Sequence, residues 1–208
     1  SVRILNSAHN IIGTQLRGNF INSPPSALGG SSGGATVLIT GAESHHNLMD
    51  TSGFGYMEPY AAPNGTTPNL LLAPSPTHGL HITGGAHDNV IGHSYQDGAV
   101  RFLATPNGAA LRIEGAGTDN NRVLGCVFGL NRTDVEMSPQ QLVRIGVHIL
   151  NGPRGNRIGE AGNLRFATGG GGPVEPYNSF GAIMEAGIRL ENVQAGTDAL
   201  GSAVGSNV

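Results

Sequence analysis

Residues 79–92 read "GLHITGGAHDNVIG". Leu80 and Ile82 flank His81, a Gly-Gly turn follows, and Asn89 leads into a second apolar pair, Val90 and Ile91. The same grammar recurs as "VRILNSAHNII" (2–12), "VLITGAESHHNLM" (37–49), "LRIEGAGTDNNRV" (111–123), "VHILNGPRGNRI" (147–158) and "IRLENVQAGTDAL" (188–200). Each copy starts apolar, variable, apolar, turns at Gly or Asn, and places Asn (Asp in the last copy) shortly before another apolar residue. Repetition at this scale is the mark of a repeat architecture, in which no copy can bury its apolar face alone.

Apolar residues at every second position indicate a strand with one face buried. The inward pairs are then Val2/Ile4, Val37/Ile39, Leu80/Ile82, Leu111/Ile113, Val147/Ile149 and Ile188/Leu190. A second inward ladder follows the turn at Ile12, Met49, Ile91, Val123, Ile158 and Leu200. Asn10, Asn47, Asn89, Asn121 and Asn156, with Asp198, occupy equivalent corners, and stacked Asn side chains can hydrogen-bond along a stack of parallel strands. No window keeps helical spacing, and Gly and Pro interrupt the longer ones. The best helical candidate is a short turn in "MSPQQLVRI" (137–145), with Ser138 as cap and Pro139 at the first position.

Each copy is longer than one coil needs, so connections must project. They are read as "INSPPSALGGSSGG" (21–34), "EPYAAPNGTTPNLLLAPSPTHG" (58–79), "ATPNG" (104–108), "LNRTDVEMSPQQ" (130–141) and "ATGGGGPVEPYNSFGAI" (167–183), all rich in turn-forming residues. The "HNIIG", "DNVIG" and "GNRIG" turns, with "NNRVLG" as a variant, carry a resemblance to the right-handed parallel β-helix proteins of the pectate-lyase-like superfamily. The resemblance spans nearly the whole chain. It implies an all-β, right-handed parallel β-helix (β-solenoid) of one coil per copy with long projecting loops, residues 1–208 forming one domain. That fold hosts lyases, glycoside hydrolases, epimerases, adhesins and tailspikes, so it leaves function open.

Composition narrows the field. Gly supplies 34 of 208 residues, more than double the usual share of about 7%. All 11 basic residues are Arg, which excludes a lysine Schiff base or lysine general base. A net charge of −3 argues against nucleic acid as a partner. Cys126, alone and set in "VLGCVFG", reads as a buried small hydrophobe. No apolar run is long enough to span a membrane, and no signal peptide is visible.

Between the inward pairs, the outward residues are Arg3, Leu38, His81, Arg112, His148 and Arg189, then Leu5, Thr40, Thr83, Glu114, Leu150 and Glu191. Arg112 is expected to pair with Glu114, and Arg189 with Glu191. Arg offers a planar fork to carboxylates and sulfates, and His titrates near neutral pH. The candidate ligand or interface face is therefore Arg3, His81, Arg112, His148, Arg189 and Glu191, with His81, Arg112, Glu114 and His148 as catalytic candidates should the chain be an enzyme. Tyr56, Tyr60 and Tyr177 on Gly-rich loops are the aromatic contacts, and Glu58 and Glu175 the carboxylates a glycosidase pair would need.

His78, His81, His87 and His93, with His45 and His46 one copy earlier, suggest metal at first sight. His78 is read as preceding its strand, His81 as facing out and His87 as lying in a turn, so no metal site is expected. Calcium is the cation the resembled lyases hold with clustered Asp residues. Here Asp50, Asp88, Asp97, Asp119, Asp134 and Asp198 are scattered, and no calcium site or other cofactor is assigned. The "N-x-D", "D-D" and "G-H-G" motifs of polygalacturonase-like enzymes are absent, and "YMEPY" (56–60) only echoes the epimerase signature "Y-G-x-D-P-H".

Neither end shows a capping element, which a solenoid needs. The chain is expected to be an excerpt of a longer protein or a subunit that stacks end to end. The leading expectation is a structural or adhesive module of a cell surface, extracellular filament or virion that presents its loops and Arg/His face to a partner or polysaccharide. The alternative is a polysaccharide lyase or glycoside hydrolase acting on an acidic polysaccharide.

Overall fold

The computed structural model describes residues 2–13, 19–21, 34–50, 52–54, 77–92, 100–129, 142–159, 165–166, 173–174, 178–181, 183–193 and 203–204. Among these, every regular element is a strand. The first sheet stacks β1 (Val2–Leu5), β4 (Ala35–Thr40), β7 (His78–Thr83), β10 (Thr105–Glu114), β13 (Val143–Leu150) and β18 (Ile183–Glu191) in that order. The second contains β2 (Ile11–Ile12), β5 (Leu48–Met49), β8 (Val90–Ile91), β11 (Arg122–Val123) and β14 (Arg157–Ile158). The third contains β3 (Asn19–Ile21), β6 (Ser52–Phe54), β9 (Arg101–Phe102), β12 (Val127–Phe128), β17 (Ser179–Phe180) and β19 (Ala203–Val204). All pairings in these sheets are parallel, and the chain visits the sheets in rotation, an arrangement consistent with a parallel β-solenoid. A separate antiparallel pair joins β15 (Arg165–Phe166) to β16 (Pro173–Val174).

The register follows the alternation. Ile4, Ile39, Ile82, Ile113, Ile149 and Leu190 pair successively, as do Val2, Val37, Leu80, Leu111, Val147 and Ile188. Ile12, Met49, Ile91, Val123 and Ile158 form the inner column of the second sheet. One hydrophobic cluster joins these columns to Phe54, Phe102, Phe128 and Phe180 of the third. Each fully buried aliphatic side chain is worth about 1.5–3 kcal/mol, so stacked columns supply most of the driving force. Cys126 lies in the same cluster and is buried.

The corners between the first and second sheets are held by the Asn ladder. Asn10 donates its backbone N–H and Nδ2 to Asn47 Oδ1 at 2.9 and 2.8 Å. Asn47 does the same to Asn89 (3.0 and 2.8 Å), Asn89 to Asn121 (3.1 and 2.9 Å), and Asn121 to Asn156 (2.8 and 3.0 Å). The residue before each Asn, namely His9, His46, Asp88, Asn120 or Gly155, is left-handed, a conformation that His, Asn, Asp and Gly tolerate better than other residues. After the corner, Gly92 has φ +86 and a Cβ there would lie 2.0 Å from Leu124 O, so the position excludes any side chain.

Several expectations need correction. Val143 to Ile145 of the expected helical turn belong to β13, and its Ser138 and Pro139 lie outside the described residues. "ATPNG" is not a projecting loop, since Thr105 to Gly108 open β10. Register shifts between Thr105 and Ala109, and this irregularity accommodates Pro106, which cannot donate to a regular ladder. Within "ATGGGGPVEPYNSFGAI", Ser179 and Phe180 form a rung of the third sheet and Ile183 opens β18. His78 is the first residue of β7 rather than a residue ahead of it. Asp198 and Leu200, the last members of their ladders, and nearly all of the 58–79 and 130–141 connections lie outside the described residues.

The third sheet carries a feature the alternation did not announce. Phe54, Phe102, Phe128 and Phe180 stack nearly parallel, with centroids 4.7, 5.0 and 4.8 Å apart. These distances match the spacing of neighbouring strands, about 4.7–4.9 Å. Phe102 and Phe128 are each held between two other rings, with Phe54 and Phe180 closing the stack at its ends.

Candidate functional site

The outer face of the first sheet gathers the charged residues in the expected columns. Arg3, Leu38, His81, Arg112, His148 and Arg189 pair in succession, and beside them run Leu5, Thr40, Thr83, Glu114, Leu150 and Glu191. The face is more enclosed at its centre than a free solvent surface. His148 and Leu150 are buried, His81, Arg112 and Glu114 are half-buried, and Arg3 and Arg189 at the two sheet edges are exposed.

Two ion clusters occupy it. In the first, Arg112 Nε donates to Glu114 Oε2 at 2.8 Å, Asn151 Nδ2 donates to Glu114 Oε1 at 3.0 Å, and His81 Nε2 stands 3.3 Å from Glu114 Oε2. In the second, Glu185 bridges Arg144 (2.8 Å) and Arg189, Arg189 also pairs with Glu191, and His148 Nε2 lies 3.3 Å from Glu191 Oε2. The two histidine nitrogens are buried and lie off the line of a hydrogen bond to those carboxylates.

Electrostatics fixes the protonation states. The hydrogen bond from Arg112 draws the Glu114 carboxyl down to about 2, helped by Asn151 and opposed by partial burial. Glu191 is likewise lowered, by His148 and Arg189 against a desolvation penalty. Burial, followed by the charge of Arg112, lowers His81, and burial outweighs Glu191 to lower His148. At neutral pH the face therefore presents neutral imidazoles beside ionised carboxylates that pair with Arg112, Arg144 and Arg189. His78, deeper on the same sheet, accepts the Ala109 N–H on Nδ1 at 3.1 Å, and burial lowers it to about 4.

The structure thus brings together His81, Arg112 and Glu114, and separately His148, Arg189 and Glu191, while Arg3 stands at the far edge beside Leu38. Tyr56, Tyr60, Tyr177, Glu58, Glu175 and His93 lie outside the described residues. Sequence reading missed Arg144 and Glu185, whose pairing across neighbouring strands becomes visible once β13 and β18 are extended. It also missed the corner where His9 joins His45 and His46, because these come from different copies. No family model, curated protein or solved structure matches this chain. Among the described residues, no helix is long and apolar enough to cross a membrane.

Proposed function

We propose that this chain is a right-handed parallel β-helix, one coil per strand of the first sheet, and a structural or adhesive module of a cell surface, filament or virion. Its open sheet edges meet a second copy end to end or further coils of a longer parent chain, and its Arg/His/Glu face is presented to a partner or glycan. The handedness follows the strong preference of parallel crossovers for the right-handed path. The observation that carries the role is where apolar surface stays open. Among the described residues the exposed large hydrophobics are Leu5 (55%), Ile11 (67%), Met184 (57%) and Leu190 (41%), all on strands at a sheet edge. Leu190 shares its inward column with Ile39, Ile82, Ile113 and Ile149, none more than 1% exposed. An edge strand with an open core column is a template for another strand. A copy stacked by the same register sets Ile4 over Leu190 and Val2 over Ile188, and repetition of such a contact builds a filament.

A lyase or hydrolase acting on an acidic polysaccharide is the competing reading, favoured by the neutral imidazoles of His81 and His148. A glycosidase needs one carboxyl kept protonated; on this face Glu114 and Glu191 are both lowered below the ordinary carboxyl range, and Glu58 and Glu175 lie outside the described residues. Light scattering across a concentration series, with negative-stain imaging, tests the structural role. The expected result is concentration-dependent rods in the native chain and a shift toward monomer in Leu190→Glu. A native chain that stays at 21.3 kDa at every concentration, and that cleaves an acidic polysaccharide, would overturn it.

A further inference from the structure

His9, His45 and His46 each offer a ring nitrogen, and the three atoms lie within 4.8 Å of one another. His45 and His46 are neighbours in sequence, but nothing there groups them with His9. Parallel stacking does so: His9 donates its backbone N–H to His45 O at 3.1 Å, placing the corner after β1 directly against the corner after β4. His9 stacks on His46 (5.4 Å, 21°) and meets His45 edge-on (5.7 Å). His45 Nδ1 and His46 Nδ1 are 2.8 Å apart. On its other side His45 stacks against His87 (5.2 Å), whose Nδ1 is tied to Asp88 Oδ2 at 2.6 Å.

We propose that His9, His45 and His46 form a binding site for one divalent first-row transition ion of the zinc, cobalt or nickel type, which clips the edge rung of the stack to the next. Imidazole nitrogen suits these ions and not calcium, which takes oxygen ligands. A tetrahedral ion with bonds of about 2.0–2.1 Å holds its ligand atoms about 3.4 Å apart. The present separations, 2.8 Å between His45 Nδ1 and His46 Nδ1 and within 4.8 Å for all three atoms, lie on both sides of that value. His9 and His46 are exposed and free to adjust, while His45 is held by its stack on His87. Between neutral rings, one Nδ1 of the His45–His46 pair carries the proton that the other accepts. An ion takes both lone pairs, and that proton moves to Nε2 of the same ring. Three protein ligands leave a fourth position for water or for a donor from another molecule. The site is independent of the end-to-end association proposed above.

The test is a titration of the chain, free of any affinity histidines, with Co²⁺ followed by visible absorption and with Zn²⁺ followed by calorimetry. One ion per chain is expected, with hydrogen-exchange protection of the Val2–Leu5 amides rising on binding. His9→Asn/His46→Asn keeps residues that tolerate the left-handed backbone while removing two ligands. It is expected to weaken binding by at least about tenfold, the scale on which losing even an outer partner of a metal ligand is felt. His78→Gln removes a histidine at the start of β7, not at the corner, and should bind like the native chain. Failure of the native chain to bind either ion, or equal affinity in the double variant when circular dichroism shows it folded, would overturn the proposal.

Discussion

Asn121 shows how much one corner residue does. It accepts from Asn89 N and Nδ2, donates to Asn156 Oδ1, and its Nδ2 also reaches Ala86 O at 3.2 Å. Truncation leaves buried partners unsatisfied, each at about 1–3 kcal/mol. Asn121→Ala should therefore lower stability by about 3 kcal/mol or more in urea unfolding, whereas Asn10→Ala, at the half-buried end of the ladder, should lose about 1 kcal/mol. Equal losses would show that the ladder is not a continuous buried network. Neighbouring strand positions make a sharper contrast. Ile113 is fully buried and Arg112 is half-buried on the outer face. Ile113→Asp should abolish the cooperative transition by placing a charge in the core, while Arg112→Ala should leave the chain folded, as judged by circular dichroism. The opposite pattern would invert the strand register.

At the scale of elements, the third sheet rests on its stacked rings. Phe102 lies between Phe54 and Phe128, so Phe102→Ala should cost about 3–5 kcal/mol, and the transition midpoint in urea reports it. Phe102→Leu keeps most of the buried volume and removes the ring, so a Phe102→Leu chain as stable as the native one would mean that the stacking itself contributes nothing. The first and second sheets were legible in the sequence because Leu80-His81-Ile82 and its equivalents alternate across enough residues to show a period. The Asn corners and the Arg112–Glu114 and Arg189–Glu191 pairs followed from that register. The third sheet was not legible, because rungs such as Arg101–Phe102 and Val127–Phe128 are two residues long and two residues cannot display a period. The recurring "GFG", "VFG" and "SFG" triplets were the available signal, but each offers one aromatic beside Gly and no period, and the last fell within the stretch read as the 167–183 connection. Thr105–Gly108 misled for a related reason: Pro106 and Gly108 are turn residues by type, and the register shift that admits them into β10 appears only against β13. The His9–His45–His46 corner was invisible because it depends on which copies lie adjacent, not on spacing within a copy.

For the whole molecule, the response to acid follows from burial. His78 is lowered to about 4 from an ordinary 6.5, and His81 and His148 are shifted the same way. Below 6.5 the unfolded chain gains protons that the folded chain refuses. The unfolded state then binds more protons, and stability rises with pH across the window. Stability is fully present above about pH 6.5 and is lost progressively down to about pH 4. Protonation of Glu114, lowered to about 2 from 4.5, removes a further contribution at still lower pH. Urea midpoints between pH 7 and 4 should fall steadily, and His78→Gln should flatten that slope. A midpoint that rises on acidification would mean these rings gain, rather than lose, proton affinity in the fold.

All of these arguments rest on neighbouring copies lying parallel and in register, and one cross-linking experiment tests that directly. Thr40 and Thr83 are register partners on β4 and β7, and Glu114 lies one strand beyond Thr83. Native Cys126 is buried, and burial raises its thiol far above the ordinary range, so it will not compete. Adjacent strands about 4.8 Å apart fall within the Cα separation of about 4.4–6.8 Å that a disulfide spans. Under mild oxidation Thr40→Cys/Thr83→Cys should close an intramolecular disulfide nearly completely, detected by mass spectrometry, and Thr40→Cys/Glu114→Cys should not. Closure of the second pair in place of the first would contradict the stacked, in-register solenoid.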